Sequence, residues 1–408
     1  MGKNGKLLEN VIRDRGGFLM GKLEDLVNRE EGYVIGLRRY FHSYPEVSHR
    51  EFGTRKRIME ELDSLGIPYE TVEGTGLIAR VVGKYPGKHR VIRSDIDALP
   101  VTEDEQNLKQ RKVCISKNVG ACHACGHDCH MAMLLTTLKI LNEMKDELHG
   151  TIYGAFEEAE EKLGGWKQEL AGLSKYPIDE CFALHVYYHL DAGKVNIVPG
   201  PRMSGAAFIG VTFHGRSGHI SRPDQALNPI IPLAHFITEL NSVYNNRLAV
   251  DHPVTLGFGQ IVAGTANNVI PDEASVYGSS RFFDVEEGKK ASELIHRVAR
   301  NTADSFGCTV DFPLEQFLYP VVNDEGVSLS VQEKFRELFD GNMLSACEPW
   351  YASESFANVM RTYPGALGFL GIRNEELGSG ALHHNSHFDV DEKALLIGVR
   401  AELAFALK

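Results

Sequence analysis

The run HACGHDCH (residues 123–130) puts three histidines, two cysteines and an aspartate into eight positions. Thiolate and imidazole are both ligands for zinc and other borderline metals. Cys125 and His127 flank Gly126, a turn residue, just before an apolar helix. Two other readings compete. Cys114, Cys122, Cys125 and Cys129 could form a closed zinc site, but their C-x7-C-x2-C-x3-C spacing lacks the usual pair of short knuckles. Cys129 also falls where the helix begins, a place for a small hydrophobe. A redox pair at Cys122 and Cys125 lacks a thioredoxin-like surrounding pattern.

FEEAEEKLGG (156–165) carries four glutamates within five positions, at the end of a predicted strand. An acidic solvated loop is the plain reading. The chemical reading puts Glu160 and Glu161 at the carboxyl end of a parallel strand, where the loops of α/β sheets gather their function. Adjacent carboxylates can divide the work, one holding a metal while the other takes a proton from water. ALHV (183–186) ends an apolar strand on His185, which alone would read as a satisfied structural histidine. SDIDALP (94–100) places Asp95 and Asp97 two apart, on one face. ALHHNSHFDVDE (381–392) holds His383, His384 and His387 in a polar loop before a C-terminal helix. Together these segments offer Cys, His and Glu ligands, a spare glutamate and an aspartate behind them. That set favours an open hydrolytic metal centre over a closed structural one.

The elements that must carry these residues alternate between helix and strand. Residues 23–41 and 51–65 have helical periodicity, the second ending near Gly66 and Pro68. Strands are expected at 76–83, 91–97, 151–157 and 180–186, with YPGKH (85–89) as a turn and an apolar helix over 128–144. This order implies an α/β domain with a mainly parallel sheet flanked by helices. From about PGPRMSG (199–205) the character changes. Extended runs at AAFIGVTFHG, VTLGFGQIVAG and ASVYGSSRFF, helices at about 229–245 and 286–305, and a short strand at 308–312 describe a smaller α+β layer. A catalytic domain of residues 1–203 and 318–408 is therefore expected, with an insertion at 204–317.

The bulk numbers narrow the function. With 408 residues, a formal charge of −12 and a pI of about 5.8, the chain lacks the basic footprint of a general nucleic-acid binder. No stretch is long and apolar enough to span a bilayer. Residues 1–17 have no leader pattern, and Gly2 after Met1 does not by itself make a lipidation motif. Seven cysteines, an odd count in a long chain, argue against a disulfide framework. These features point to the cytoplasm and to no membrane partner.

The chain resembles the M20 metallopeptidase/amidohydrolase family, specifically its N-acyl-amino-acid amidohydrolases, such as hippurate, auxin-conjugate and aminobenzoyl-glutamate hydrolases. The matching segments run in order from LRRYFHSYPEVSHREFGT (37–54) through SDIDALP, HACGHDCHMAMLL, AFEEAEE, ALHV, GRSGHISRP, GTANNVIPDEA, GSSRFF and ASESF to LHHNSHFD. The resemblance implies two divalent ions per subunit, zinc, manganese, cobalt or nickel, on Cys125, His127, Glu161, His185 and His384. Cys125 would be a bridging thiolate. Phe388, four positions on, selects His384 over His383. Glu160 is implied as general base and Asp97 as the carboxylate that orients a histidine ligand. The insertion resembles a lid and dimerisation domain. Its His219 would stabilise an oxyanion, often in the partner subunit, and Asn268 and Arg281 would hold the substrate.

The implied reaction is hydrolysis of the amide of an N-acetyl, N-benzoyl or aminobenzoyl amino acid by a homodimer. An aminopeptidase or dipeptidase of the same fold is the alternative, and a non-catalytic protein stapled by metal is a third. Three departures bear on pocket polarity and substrate choice. FQPAEE reads FEEAEE, adding Glu157 and Glu158. ASEDF reads ASESF, with Ser355. The proline two residues after the C-terminal histidine is Ser386.

Overall fold

The computed structural model describes residues 21–408, so the reading of residues 1–17 and of Gly2 lies outside the described residues. The chain forms two units. Among the described residues, the first joins 21–200 to Val322–Glu348 and Asn358–Lys408; the second holds Pro201–Val321 and Pro349–Ala357.

After helical residues 21–29, the first unit has α1 (Glu31–Ser43), α2 (Phe52–Leu65), β1 (Tyr69–Thr71), β2 (Leu77–Val82) and β3 (Tyr85–Asp95). It continues with α3 (His127–Glu143), β4 (His149–Glu157), α4 (Trp166–Leu173), β5 (Glu180–Asp191) and β6 (Val195–Asn196). The second unit supplies β7 (Gly205–His214), β8 (Gly218–His219), α5 (Ile230–Arg247), β9 (Thr255–Ala263), β10 (Val269–Ile270), β11 (Glu273–Phe282), α6 (Val285–Ser305) and β12 (Thr309–Leu318). The chain then returns with α7 (Glu325–Leu338), β13 (Gly365–Arg373) and α8 (Leu395–Leu407).

In the first unit one sheet runs β1-β2-β4-β3-β5-β13-β6. Its four central strands are parallel and its edges antiparallel. The expected α/β architecture is therefore present, and the sequence explains it. β5 is buried from Glu180 to Tyr187 and β13 from Gly365 to Ile372, as strands covered on both faces must be. The helices α3 and α8 are apolar nearly all round and buried along almost their whole length. Arg93 pairs with Ala155 on one side and Ala183 on the other. Two residues further along these three strands stand Asp95, Glu157 and His185, so the register alone brings three chemical segments level. One expectation is corrected here. YPGKH is not a free turn, because β3 starts at Tyr85 and absorbs the segment as an irregularity between Tyr85 and His89. Pro86 has no amide to donate, and such a break in pairing is where a strand tolerates it.

The second unit is a four-stranded antiparallel sheet, β9-β11-β7-β12, with α5 and α6 packed on it. Phe213, Phe236, Val276 and Ile295 lie in its core. β12 runs well past the expected 308–312 to Leu318, with a register break at Asp311/Leu314 around Pro313. Pro349–Ala357 rejoins this unit, its Trp350 and Ala352 carbonyls accepting from the Ser204 amide at 3.1 and 2.9 Å. Among the described residues no helix is long and apolar enough to cross a membrane.

Candidate metal centre

Gly126 sits at φ +87°, and a Cβ there would come within 2.3 Å of Val186 Cγ2. Only glycine suits both conditions. The turn it makes delivers Cys125 from the loop and His127 from the first position of α3 to the middle of β5, at His185. There Cys125 Sγ lies 3.6 Å from His185 Nε2. Cys125, His127 and His185 present ligand atoms within 4.8 Å of one another, and so do Cys125, Glu161 and His384, and His127, Glu160 and Glu161. The sequence-predicted ligands thus form overlapping groups, the first two sharing Cys125 and the third joining them through His127 and Glu161.

The histidine tautomers follow from their partners. His127 Nδ1 lies 2.8 Å from the Asp97 carbonyl and 3.2 Å from Asp97 Oδ1. A carbonyl only accepts, so Nδ1 carries the proton and Nε2 keeps its lone pair. His185 Nδ1 likewise meets the Val186 carbonyl at 2.7 Å. Both Nε2 atoms are left as acceptors, the form a metal needs. His127 Nε2 and Glu161 Oε1 are buried without a hydrogen-bond partner among the described residues. They lie 3.8 Å apart. Buried polar atoms are rarely left so unless an ion or water completes them. Burial, then the charge of Glu161, push the Cys125 thiol well above its ordinary value. A cation would have to displace that proton, as metal binding to thiols does.

Glu160 and Glu161 begin a single 3-10 turn that Ala159 enters at φ +50°. Asp97 serves this turn as well as His127, since its Oδ2 accepts from the Glu161 amide at 3.1 Å and from Ser48 Oγ at 2.7 Å. His384 also has a left-handed backbone, at φ +63°. Its amide donates to the Ala124 carbonyl at 2.9 Å. Its ring, half exposed, reaches Glu161 Oε1 at 3.3 Å. His383 points elsewhere, into a buried cluster against His185 and Phe388 with ring centroids 5.3 and 5.0 Å away. Of the adjacent pair, His384 is the one whose nitrogen joins the Cys125–Glu161 group.

Of the cysteines, only Cys125 enters such a group among the described residues. Cys129 is fully buried, and all seven are free. The other two histidines of HACGHDCH have different surroundings. His123 is buried with neither ring nitrogen hydrogen-bonded, and burial holds it down to about 4. His130 Nε2 accepts from the Val186 amide at 3.0 Å, so its Nδ1–H donates to Asp95 Oδ1 at 2.6 Å. Although Asp95, His127 and His130 are close enough to suggest a metal, both nitrogens of His130 are already used. Its work is to tie α3 to the end of β3 and the middle of β5.

Sequence reasoning missed two supporting networks. Arg93 bridges Asp95 at 2.8 Å and Glu157 at 2.6 Å. Asp128, on the first turn of α3, accepts from Arg38 Nε at 2.9 Å and pairs with His42 Nδ1 at 2.8 Å. His42 Nε2 and Lys112 Nζ both meet Glu103, at 2.9 and 2.8 Å, and Lys112 donates to the Ser386 carbonyl at 2.7 Å. That chain fixes the 383–389 loop to the helix carrying His127. The one sequence signal was the i, i+3 pairing of His127 and His130. The added glutamates also need correction. Glu157 is buried on Arg93 and Glu158 is buried on Thr75, so their carboxylates are consumed inside the fold rather than added as free charge.

His219, Asn268 and Arg281 all belong to the second unit and are described there alone. His219 pairs with Val269 across β8 and β10, and its ring is exposed. Its Nδ1 accepts from the Ser221 amide at 3.1 Å, which leaves Nε2 as the protonated donor. The Asn268 carbonyl accepts from the Ile220 amide at 3.1 Å, close by in sequence pairing. Arg281, at the end of β11, stacks over Phe208 at 5.2 Å and donates to Ser353 Oγ at 2.5 Å. Ser355 is fully buried.

The profile of peptidase family M20/M25/M40 matches residues 91–408. Thermostable carboxypeptidase 1 of Saccharolobus solfataricus is 33% identical over 397 residues, covering 96% of this chain and 98% of its own. N-acyl-L-amino acid amidohydrolase of Geobacillus stearothermophilus is 34% identical over 309 residues, 75% of this chain and 82% of its own. The crystal structure of Bacillus subtilis YXEP, a dinuclear metal binding peptidase from the M20 family, superposes with a TM-score of 0.78 at 28% identity, covering 94% of this chain and 98% of that one. With the ordered ligand segments, the α/β sheet that levels them and these likenesses together, the chain belongs to peptidase family M20/M25/M40.

Proposed function

We propose that this chain hydrolyses the amide bond of an N-acyl amino acid, with an acetyl, benzoyl or aminobenzoyl group, to give a carboxylic acid and a free amino acid. The observation that carries the reading is the overlap of two donor groups at Cys125, with Glu160 beside them and the histidine tautomers set for coordination. The mixed S, N and O donors and the orphaned buried His127 Nε2 and Glu161 Oε1 fit two divalent cations. Cys125, His127, Glu161, His185 and His384 would hold them, and the set would accept zinc, manganese, cobalt or nickel. Bound there, such cations lower the pKa of a coordinated water to about 7 and polarise a carbonyl.

The protein's own part is proton handling and positioning. Glu160 takes a proton from the attacking water as its oxygen bonds to the acyl carbon. It returns that proton to the amide nitrogen as the C–N bond breaks. Asp97 keeps His127 and the Glu161 amide in place throughout. His219, through Nε2–H, is assigned to the developing oxyanion, and Asn268 and Arg281 to the carboxylate or acyl group of the substrate. A homodimer formed through the second unit follows from the same resemblance, and seven free cysteines suit the reducing cytosol.

The decisive test is Glu160→Gln. It should retain both metal equivalents by elemental analysis and lose turnover, and near-normal turnover would refute the role. A peptidase is the second reading, because a carboxypeptidase is among the relatives that span nearly the whole chain. Side-by-side rates on free dipeptides and on N-acetyl, N-benzoyl and aminobenzoyl amino acids, with several added metals, separate the two.

A further inference from the structure

Beneath the Glu160–Glu161 turn lie two buried carboxyl groups with one hydroxyl between them. Thr75 Oγ1 is 2.7 Å from Oε2 of Glu51 and 2.7 Å from Oε2 of Glu158. Glu51, Thr75 and Glu158 are all buried, and among the described residues neither carboxyl is paired with a cation. The nearby Arg55 is spent on the Gly74 carbonyl, and the charged group that bears on Glu51 is Asp97, itself an anion.

The proton count then decides the arrangement. A threonine hydroxyl has one proton and cannot donate to two carboxylates at once. Glu158 Oε2 already accepts from the Thr75 amide at 2.5 Å, which marks it as the acceptor in its contact with the Thr75 hydroxyl too. Glu51 Oε1 accepts from the amides of Ala159 and His49 at 2.9 and 3.0 Å, which leaves Oε2 to carry a proton. We propose that Glu51 is held as the neutral acid and is the positioning residue of the Glu160–Glu161 turn. Its Oε2–H donates to Thr75 Oγ1, the Thr75 proton goes to Glu158, and Oε1 holds the Ala159 amide.

Two further observations fit. Burial raises the Glu51 carboxyl, and two unpaired carboxyls sharing one site cannot both ionise cheaply. Ala159 occupies φ +50°, a conformation a non-glycine residue keeps only when its surroundings hold it, and Glu51 is the group that takes its amide. Gly74, at φ +87°, leaves room for Glu158, whose Oε1 would be 1.9 Å from a Cβ there. Glu158 stands where the resembled pattern has proline, so the shared proton is a property of this chain. The inference deepens the proposed function, since it takes Glu160 and Glu161 as the working pair.

The test begins with infrared difference spectra of the purified full chain near neutral pH. Wild type minus Glu51→Gln should contain the carbonyl stretch of a protonated carboxyl, with Glu402→Gln as a reference for another buried acid that burial raises. In Glu51→Gln the amide reproduces both the acceptor and the donor, so metal content and turnover should stay within about threefold of wild type. Glu51→Ala and Thr75→Val should each lower turnover by about tenfold or more, the cost of a broken buried hydrogen bond, and Thr75→Ser should restore it. A difference spectrum without that band, or Glu51→Gln as impaired as Glu51→Ala, would overturn the proposal. The band is independent of the reaction. A chain that shows it yet cleaves no amide would sink the proposed function and leave this inference standing.

Discussion

His127 and His185 in the first unit are buried, and each has Nδ1–H fixed on a main-chain carbonyl. His219 in the second unit lies exposed on a two-residue strand, and its Nδ1 accepts from the Ser221 amide instead. The two environments set opposite tautomers. The first leaves Nε2 with a lone pair, which a cation can use; the second leaves Nε2 with a proton, which a developing oxyanion can use. The supports differ too. The buried pair rests on Asp97, strand ends and a helix start, whereas His219 rests on its own loop. A ligand must be held within a fraction of an ångström by its neighbours, while a group that meets substrate can sit on a mobile element.

The comparison breaks most visibly at His127. His127→Ala should lose metal and activity together, with turnover at background and substoichiometric metal after gel filtration. Next comes His219→Ala, which should keep full metal content while kcat falls about 100–1,000-fold, the usual loss of one oxyanion donor. Equal loss of metal in both variants would abolish the distinction. Asp97→Asn is a finer probe, because it disturbs the partner of His127 rather than the ring. It should weaken metal affinity about 10–100-fold in a chelator competition titration.

The smallest effect tests burial alone. Glu402, fully buried with its carboxyl oxygen accepting from Thr137 Oγ1 at 2.6 Å, is raised by burial to about 8. Its folded form therefore keeps a proton that the unfolded chain gives up near pH 4.5. Stability should fall as pH rises between those values and level off above about 8. Glu402→Gln should flatten that slope and be the more stable protein at pH 8, read from denaturant midpoints with unchanged m-values.

Much of the first unit was legible because its central strands are buried on both faces and its helices α3 and α8 carry apolar runs. The strand carrying SDID and the helix after HACGH lie where periodicity put them, whereas the strand expected to end at His185 runs on to Asp191, which leaves His185 within it. Proline-bearing segments were less legible. YPGKH and the tract around Pro313 look like breaks in the sequence, yet the strands continue through them as register irregularities. Pairing with a neighbour outweighs local propensity there. The return of Pro349–Ala357 to the second unit rests on the Ser204 amide and on the side chains of Arg281 and Phe283, partners that no local pattern in the segment announces.

The chemical inventory was written in the sequence: a thiol, imidazoles and adjacent carboxylates on successive strands and loops, in one order. Those residue types limit the chemistry because only certain atoms bind borderline metals or exchange protons near neutrality. What tertiary structure alone decided is which atoms face one another. It assigned His384 rather than His383 to the Glu161 oxygen, and gave His130 to Asp95 and the Val186 amide. It also turned the additional acids Glu157 and Glu158 inward onto Arg93 and Thr75. The reason is physical. Protonation, tautomer and coordination depend on partners within about 3 Å, and those partners come from segments up to hundreds of positions apart, brought level by the register of a parallel sheet.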